Sequence, residues 1–348
     1  MEIHLKSYTF KNTEKTKKKG SEYETFSLLF LLAFHNEHEN IETVLVDTFN
    51  DVTGCDLPPQ NLWDIQSKGH QDPNPKKIGS FLFTLWDNFC SEFEFLEYIL
   101  LLEEIDTSYL VAPSDKTFSF DGIKKSTQER IRNGLVSEIR RRNKLKDDDK
   151  LDETKIDGFL KFVKFIVWST DKPKSLSGLI PIKSNSFADD SFLSRVFDEI
   201  RDKQSALKNI NIEGKNVNTI QEALNFEKTI SKTEIVTLLV NRIIGIELFS
   251  QCNIPILFLP YLKTSDSEEI KDIILDCNAA LSRTWFNKIN KQAVWQLLEK
   301  IIVMITKYKS EDIDFYINGL SERLKALVPT LSQIHLAFFI ARILEGIK

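Results

Sequence analysis

Long apolar runs are missing from this sequence. The longest, such as residues 254–262, are too short or too interrupted to span a bilayer. No positively charged leader followed by an apolar core stands at the N-terminus, so no signal peptide is expected. Cysteine is scarce: the four, at positions 55, 90, 252 and 277, are scattered and form no CxxC pair. That argues against a zinc ribbon or a disulfide frame and for a reduced, cytoplasmic setting. There is no GxxxxGK[ST], so the chain itself is not expected to hydrolyse ATP, and neither a G-x-S-x-G elbow nor a Cys–His pair is present. Excess positive charge is missing too. With a net charge of -5, any contact with nucleic acid has to come from a local patch.

What is present suits a soluble globular protein. The 348 residues are 42% hydrophobic and 28% charged, enough for about two domains, and twenty-five Phe imply large apolar cores. Residues 20–34 read as a helix, apolar nearly all round as if buried against a sheet, with Ser21 and Glu24 spaced as a capping box. Residues 41–49 alternate and are β-branched, a strand carried on to Asp51. A turn rich in Gly and Pro follows, then a strand over 62–68 with Asp64, Gln66 and Lys68 on one face and Trp63 and Ile65 on the other. Residues 78–93 have helical spacing, and 98–102 and 159–168 read as strands. This succession predicts an α/β N-terminal domain, residues 1–175, with a central mixed sheet flanked by helices.

A Ser/Pro/Gly-rich segment at 170–184 marks the boundary. Beyond it the pattern is almost wholly helical, with candidates at 187–207, 219–226, 233–250, 266–280, 291–307, 313–327 and 331–347. Residues 176–348 therefore read as an all-α interaction or assembly domain. Its charges, such as Glu299 and Lys300, look like ordinary exposed helix positions.

Cutting a phosphodiester bond requires acceptor oxygens that hold a hard cation, Mg²⁺ or Mn²⁺, and a cationic group aimed at the reacting phosphate. Asp51 supplies a carboxylate, Gln66 an amide oxygen, and Glu24 a second carboxylate from the preceding helix. Lys68 would orient the water and stabilise developing charge, and the main-chain carbonyl of Ile65 or Ser67 could complete the shell. Glu24 has a plainer role as a helix cap; it joins the site only if the helix start lies beside the sheet edge where Asp51 and Gln66 emerge. Asp47, Asp56 and Asp64 compete with Asp51 for the first-acid role, Asp64 most directly because it shares a face with Gln66 and Lys68. Gln66 in place of an acid removes one negative charge, which predicts weak metal binding or reliance on bound DNA.

The basic clusters have two readings each. Lys15, Lys17, Lys18 and Lys19 are a solvated tail or a phosphate-contacting arm. The run from Lys124 to Lys144, answered by Asp147 to Asp149, is a solvated helix face or a face that tracks a nucleic-acid backbone. His35 and His38 fit a polar helix terminus, and His70 and Gln71 a loop beside the site.

In the order Gly20-x-x-Tyr23-Glu24, then Asp51, then Gln66-x-Lys68, the chain resembles the PD-(D/E)XK nuclease superfamily in its Q-x-K variant, as in Mrr-type restriction endonucleases. More narrowly, FNDVTG, LWDIQSKG and IGSFLFTLWDNF resemble the nuclease domain of bacterial antiphage effectors, in CD-NTase-linked (CBASS) operons and Lamassu-type systems. The resemblance covers roughly residues 15–170. It implies an Mg²⁺-dependent endonuclease of double-stranded DNA, held off until an SMC-type ATPase, a sensor subunit or homo-oligomerisation activates it.

Overall fold

The computed structural model of the chain describes residues 7–10, 18–69, 72–146, 148–168, 170–180, 188–248, 254–263, 266–287 and 291–347, without the side chains of 18–21 and 291. Lys15, Lys17, His70, Gln71, Asp147, Cys252, residues 181–187 and the side chains of Lys18, Lys19 and Ser21 lie outside that description. Contacts divide the chain into two units, residues 1–176 with 197–232 and residues 177–196 with 233–348.

The first unit runs β1 (Tyr8–Thr9), α1 (Lys18–Ala33), β2 (Thr43–Val46), β3 (Val52–Cys55), β4 (Leu62–Lys68), α2 (Pro75–Phe81), α3 (Phe83–Phe89) and β5 (Glu97–Leu102). It continues through β6 (Thr117–Ser119), α4 (Lys125–Asn143), α5 (Glu153–Phe162), β7 (Val163–Val167) and α6 (Lys172–Ser177). The later segment adds the end of α7 (Asp190–Lys208), β8 (Asn216–Val217), α8 (Ile220–Leu224) and β9 (Thr229–Ser231). Seven strands form one mixed sheet in the order β6-β7-β5-β4-β3-β2-β9. Parallel pairing is confined to β4–β5 and β5–β7; the remaining neighbours are antiparallel.

Several elements differ from the sequence expectation. Asp51 does not end a strand: β2 stops at Val46, and Asp51 immediately precedes β3. β3 was hidden because its four residues are all buried and include Gly54, so no alternation shows. Residues 78–93 form two short helices, and residues 159–162 finish α5 before β7 begins. α1 begins at Lys18, upstream of Ser21, so Ser21 and Glu24 do not form an N-terminal capping box. β9 emerges from the stretch read as helical and pairs with β2 from Thr43 to Leu45.

The two sheet faces are covered differently. A Cβ at Gly54, which pairs with Trp63, would meet Leu31 of α1, and one at Gly69 would meet Tyr23. Side chains alternate along a strand, so α1 covers the face of Trp63 and Ile65. The opposite face, that of Asp64, Gln66 and Lys68, receives α3, whose Thr84 and Asn88 bond to Gln66 and Asp64. There an apolar cluster including Leu62, Leu100, Trp86, Leu135 and Phe159 packs between sheet and helices. α2 and α4 cross at backbone contact: a Cβ at Gly134 would lie 2.2 Å from the Lys76 carbonyl oxygen, and one at Gly79 would lie 1.9 Å from that of Ile131.

The second unit is helical, with α9 (Lys232–Ile244), α10 (Ser267–Trp285), α11 (Lys291–Tyr308), α12 (Ile313–Gly319), α13 (Glu322–Ala326) and α14 (Gln333–Ile347). α14 is its core, buried from His335 to Leu344, with Phe339 edge-on to Trp285 and Trp285 edge-on to Trp295. Among the described residues, no helix is long and apolar enough to cross a membrane.

Candidate active site

The β3–β4 register builds the site. Val52 pairs with Ile65, which sets Asp51 opposite Gln66. Oδ2 of Asp51 accepts hydrogen bonds from the Gln66 side-chain amide, from the Ser67 backbone N–H at 2.9 Å and from the Ser67 hydroxyl at 2.9 Å. None of these bonds uses Oδ1. The Gln66 oxygen accepts from the Thr84 hydroxyl, which ties the amide to α3. Gln66 is buried, whereas Asp51 and Lys68 are half-buried at the end of the strand. Lys68, two residues beyond Gln66, shares its face, and its Nζ lies 5.8 Å from the centroid of the Phe81 ring.

Asp64, the rival acid, is wholly buried. Its carboxyl accepts from Asn88 at 2.7 Å, and from Thr53 and Asn50 at 3.4 and 3.5 Å; Asn88 in turn accepts from the Tyr8 hydroxyl at 2.8 Å and donates to the Phe49 carbonyl. Burial pushes the Asp64 carboxyl up to about 7, against the pull of its three donors, with the charge of Asp51 adding to the rise. This geometry makes Asp64 a bolt between β4, α3 and the turn before β3.

The raised value has a consequence for stability. Between the unfolded value near 4 and about 7, the folded state binds more protons at Asp64 than the unfolded chain does, so this contribution falls as pH rises through that window. Asp64→Asn copies the protonated form, its amide donating toward Thr53. Relative to wild type it should gain on the order of 2 kcal/mol of stability at pH 8 but little at pH 5. Denaturant unfolding at the two pH values checks this; an equal offset at both would contradict it.

Glu24 stands apart. Its carboxylate forms an ion pair with Lys208 at the end of α7, and α1 lies on the sheet face opposite Gln66 and Lys68. Burial, with Lys228 nearby, pushes the Lys208 ammonium down to about 8, which its bond to Glu24 opposes. Lys228 faces Asp47 at 3.5 Å, and Asp47 lies in the turn that ends at Asp51. The structure thus brings Asp51, Gln66 and Lys68 together and leaves Glu24 in a separate buried charge cluster. His35 and His38 lie in the turn that follows α1. His35 bonds to Glu97 at 3.0 Å, and Lys164 bonds to the other Glu97 oxygen at 2.5 Å. Burial raises the Glu97 carboxyl, but hydrogen bonds from His35 and Lys164 outweigh it and hold it below the ordinary value.

Thr84, Asn50 and Asn88 were not picked out from the sequence as functional, and Ser67 only for its main-chain carbonyl. Thr84 and Asn88 carried a legible signal, two uncharged polar residues four apart in a helix and hence on one face.

Among the described residues no group of three or more His, Cys, Asp and Glu could hold a metal ion. Asp51 Oδ1, the Gln66 amide and the Ser67 carbonyl, 3.4 Å from the Gln66 nitrogen, are nonetheless hard oxygen donors of the kind Mg²⁺ and Mn²⁺ prefer. A hydroxyl both donates and accepts, so Thr84 can partner either end of the Gln66 amide. The donor set fits a weakly held cation, with one carboxylate in place of two or three. No protein-family model matches the chain, and no curated protein or solved structure matches it either.

Proposed function

We propose that this chain is a cytoplasmic, metal-dependent endonuclease that cleaves double-stranded DNA by hydrolysis, as an effector of bacterial antiphage defence. The observation that carries the reading is the convergence of Asp51, Gln66 and the Ser67 backbone at one end of the β3–β4 hairpin, with Lys68 next on the same face. The element order supports it: a helix, three antiparallel strands, helices, then β5 parallel to β4, as the PD-(D/E)XK resemblance implies. A bound Mg²⁺ or Mn²⁺ would activate water and offset charge on the phosphate. Asp51, Gln66 and Ser67 would hold that ion, and Lys68 would stabilise the charge that develops on the phosphoryl oxygens.

The helical second unit is the natural dock for an SMC-type ATPase or sensor subunit, or for self-assembly that pairs two active sites. The test is plasmid cleavage by wild type and Lys68→Ala with Mg²⁺ or Mn²⁺, alone and with the partner subunits encoded beside it.

The Glu24–Lys208 pair favours a second reading, a nuclease fold that binds DNA or scaffolds a defence complex without cutting. With a single carboxylate at the edge, such a chain would bind duplex but leave plasmid intact with its partners present. Lys68 argues against it, because an inert site gives a lysine with no carboxylate partner among the described residues little reason to stand there.

A further inference from the structure

Lys68 is not the only ammonium at this edge. Phe81, the last residue of α2, has its ring centroid 5.8 Å from Lys68 Nζ and 5.2 Å from Lys77 Nζ. Each cation–π contact is worth roughly 0.5–1 kcal/mol where water reaches it. The two ammoniums also repel one another, and among the described residues neither has a carboxylate partner.

The basic face of α4 is built the opposite way. Arg132 bonds to Glu153 and, at 2.7 Å, to Asp157; Arg141 and Arg142 share Glu138 at 2.5 and 3.0 Å; Arg140 donates to the carbonyls of Lys146 and Asp149. Those cations are answered from within the chain. Among the described residues the pair on Phe81 lacks a carboxylate partner, and Lys68 stands on the strand that carries Gln66. Two ammoniums brought to one ring, one of them on the strand that carries Gln66, suit a chain of evenly spaced negative charges.

Resting on the nuclease reading above, we propose that Lys68 and Lys77, gathered on Phe81, form a clamp for successive phosphates of one DNA strand. Lys68 meets the phosphate at the Asp51–Gln66 edge and Lys77 its neighbour. Lys77 is then a positioning residue: it fixes the register of the strand without touching the reacting phosphate. Phe81 presents both ammoniums.

The test is fluorescence-anisotropy titration of a labelled DNA duplex, in EDTA, across a series of salt concentrations. Removing one phosphate contact lowers the slope of log K against log salt by about 1. Lys77→Ala should therefore weaken binding about 3–10-fold and show that smaller slope. Lys77→Arg should keep both near the wild-type values, and Phe81→Leu should fall between. Lys77 is exposed, so its two substitutions leave the fold in place, whereas Phe81 is buried and its variant is read beside its melting temperature. Equal affinity and slope for wild type and Lys77→Ala would overturn the clamp while plasmid cleavage still decides the nuclease. Wild type that binds no duplex at any salt would overturn the clamp as well, and wild type that leaves plasmid intact with metal and partner subunits present would overturn the nuclease itself.

Discussion

Lys68→Ala is expected to slow metal-dependent plasmid cleavage by about 10²–10³-fold, the loss typical when one charge-stabilising donor is taken from a phosphoryl or acyl transition state. Stability should barely change. Lys68 is half-buried at the end of β4, its described contact is the Phe81 ring, and surface substitutions away from caps and networks stay within roughly 0.5 kcal/mol. A large activity loss with an unchanged melting temperature would separate chemistry from folding. Lys68→Ala that cuts at the wild-type rate would contradict the role of Lys68.

Gly134→Ala should have the largest effect on the fold. Alanine favours a helix over glycine by about 1 kcal/mol, so in an exposed helix the change would stabilise. At Gly134 the new methyl would lie 2.2 Å from the Lys76 carbonyl oxygen and 2.9 Å from its carbonyl carbon and Cα, backbone atoms that cannot swing aside. The helices must separate. Overpacking of this kind costs about 1–3 kcal/mol and sometimes more, which after the gain in helix propensity leaves a net loss of about 2 kcal/mol, a fall of roughly 4–8 °C for a unit of this size. The shift also bears on the site, because α2 runs straight into α3, which carries Thr84 against Gln66 and Asn88 against Asp64. Cleavage should then fall even at temperatures where the protein stays folded. Calorimetry with an activity assay below the transition checks both; a raised melting temperature would mean that the helices part at no cost.

How far these features were legible depends on how local their causes are. The strand over 62–68 was readable because one wet end and strict alternation put Asp64, Gln66 and Lys68 in phase. Asp51 was placed beside Gln66 from sequence, but for an incomplete reason: it immediately precedes β3, a strand too short, too buried and too glycine-bearing to alternate. The run FLKFVKFIVW is apolar but for Lys161 and Lys164, and nothing in periodicity marks where α5 gives way to β7. Glu24 shows the limit most plainly. Its spacing from Ser21 suggested a local cap, yet its partner is Lys208, 184 residues away. β9 likewise joins the sheet through pairing with β2 that no local pattern encodes. Asp64 shared the right face for a ligand, and only burial against Asn88, Asn50 and Thr53 tells it from Asp51.

The most direct measurement is isothermal titration of Mn²⁺ into wild type and Asp51→Ala, with a DNA duplex present. Oxygen sites of low charge bind divalent cations at about 0.1–1 mM, and one carboxylate with an amide and a main-chain carbonyl belongs in that class. Wild type should take up Mn²⁺ in that range, and Asp51→Ala should lose the binding while keeping its fold. Equal binding by both proteins, or none by wild type, would contradict a metal site at the Asp51–Gln66 edge.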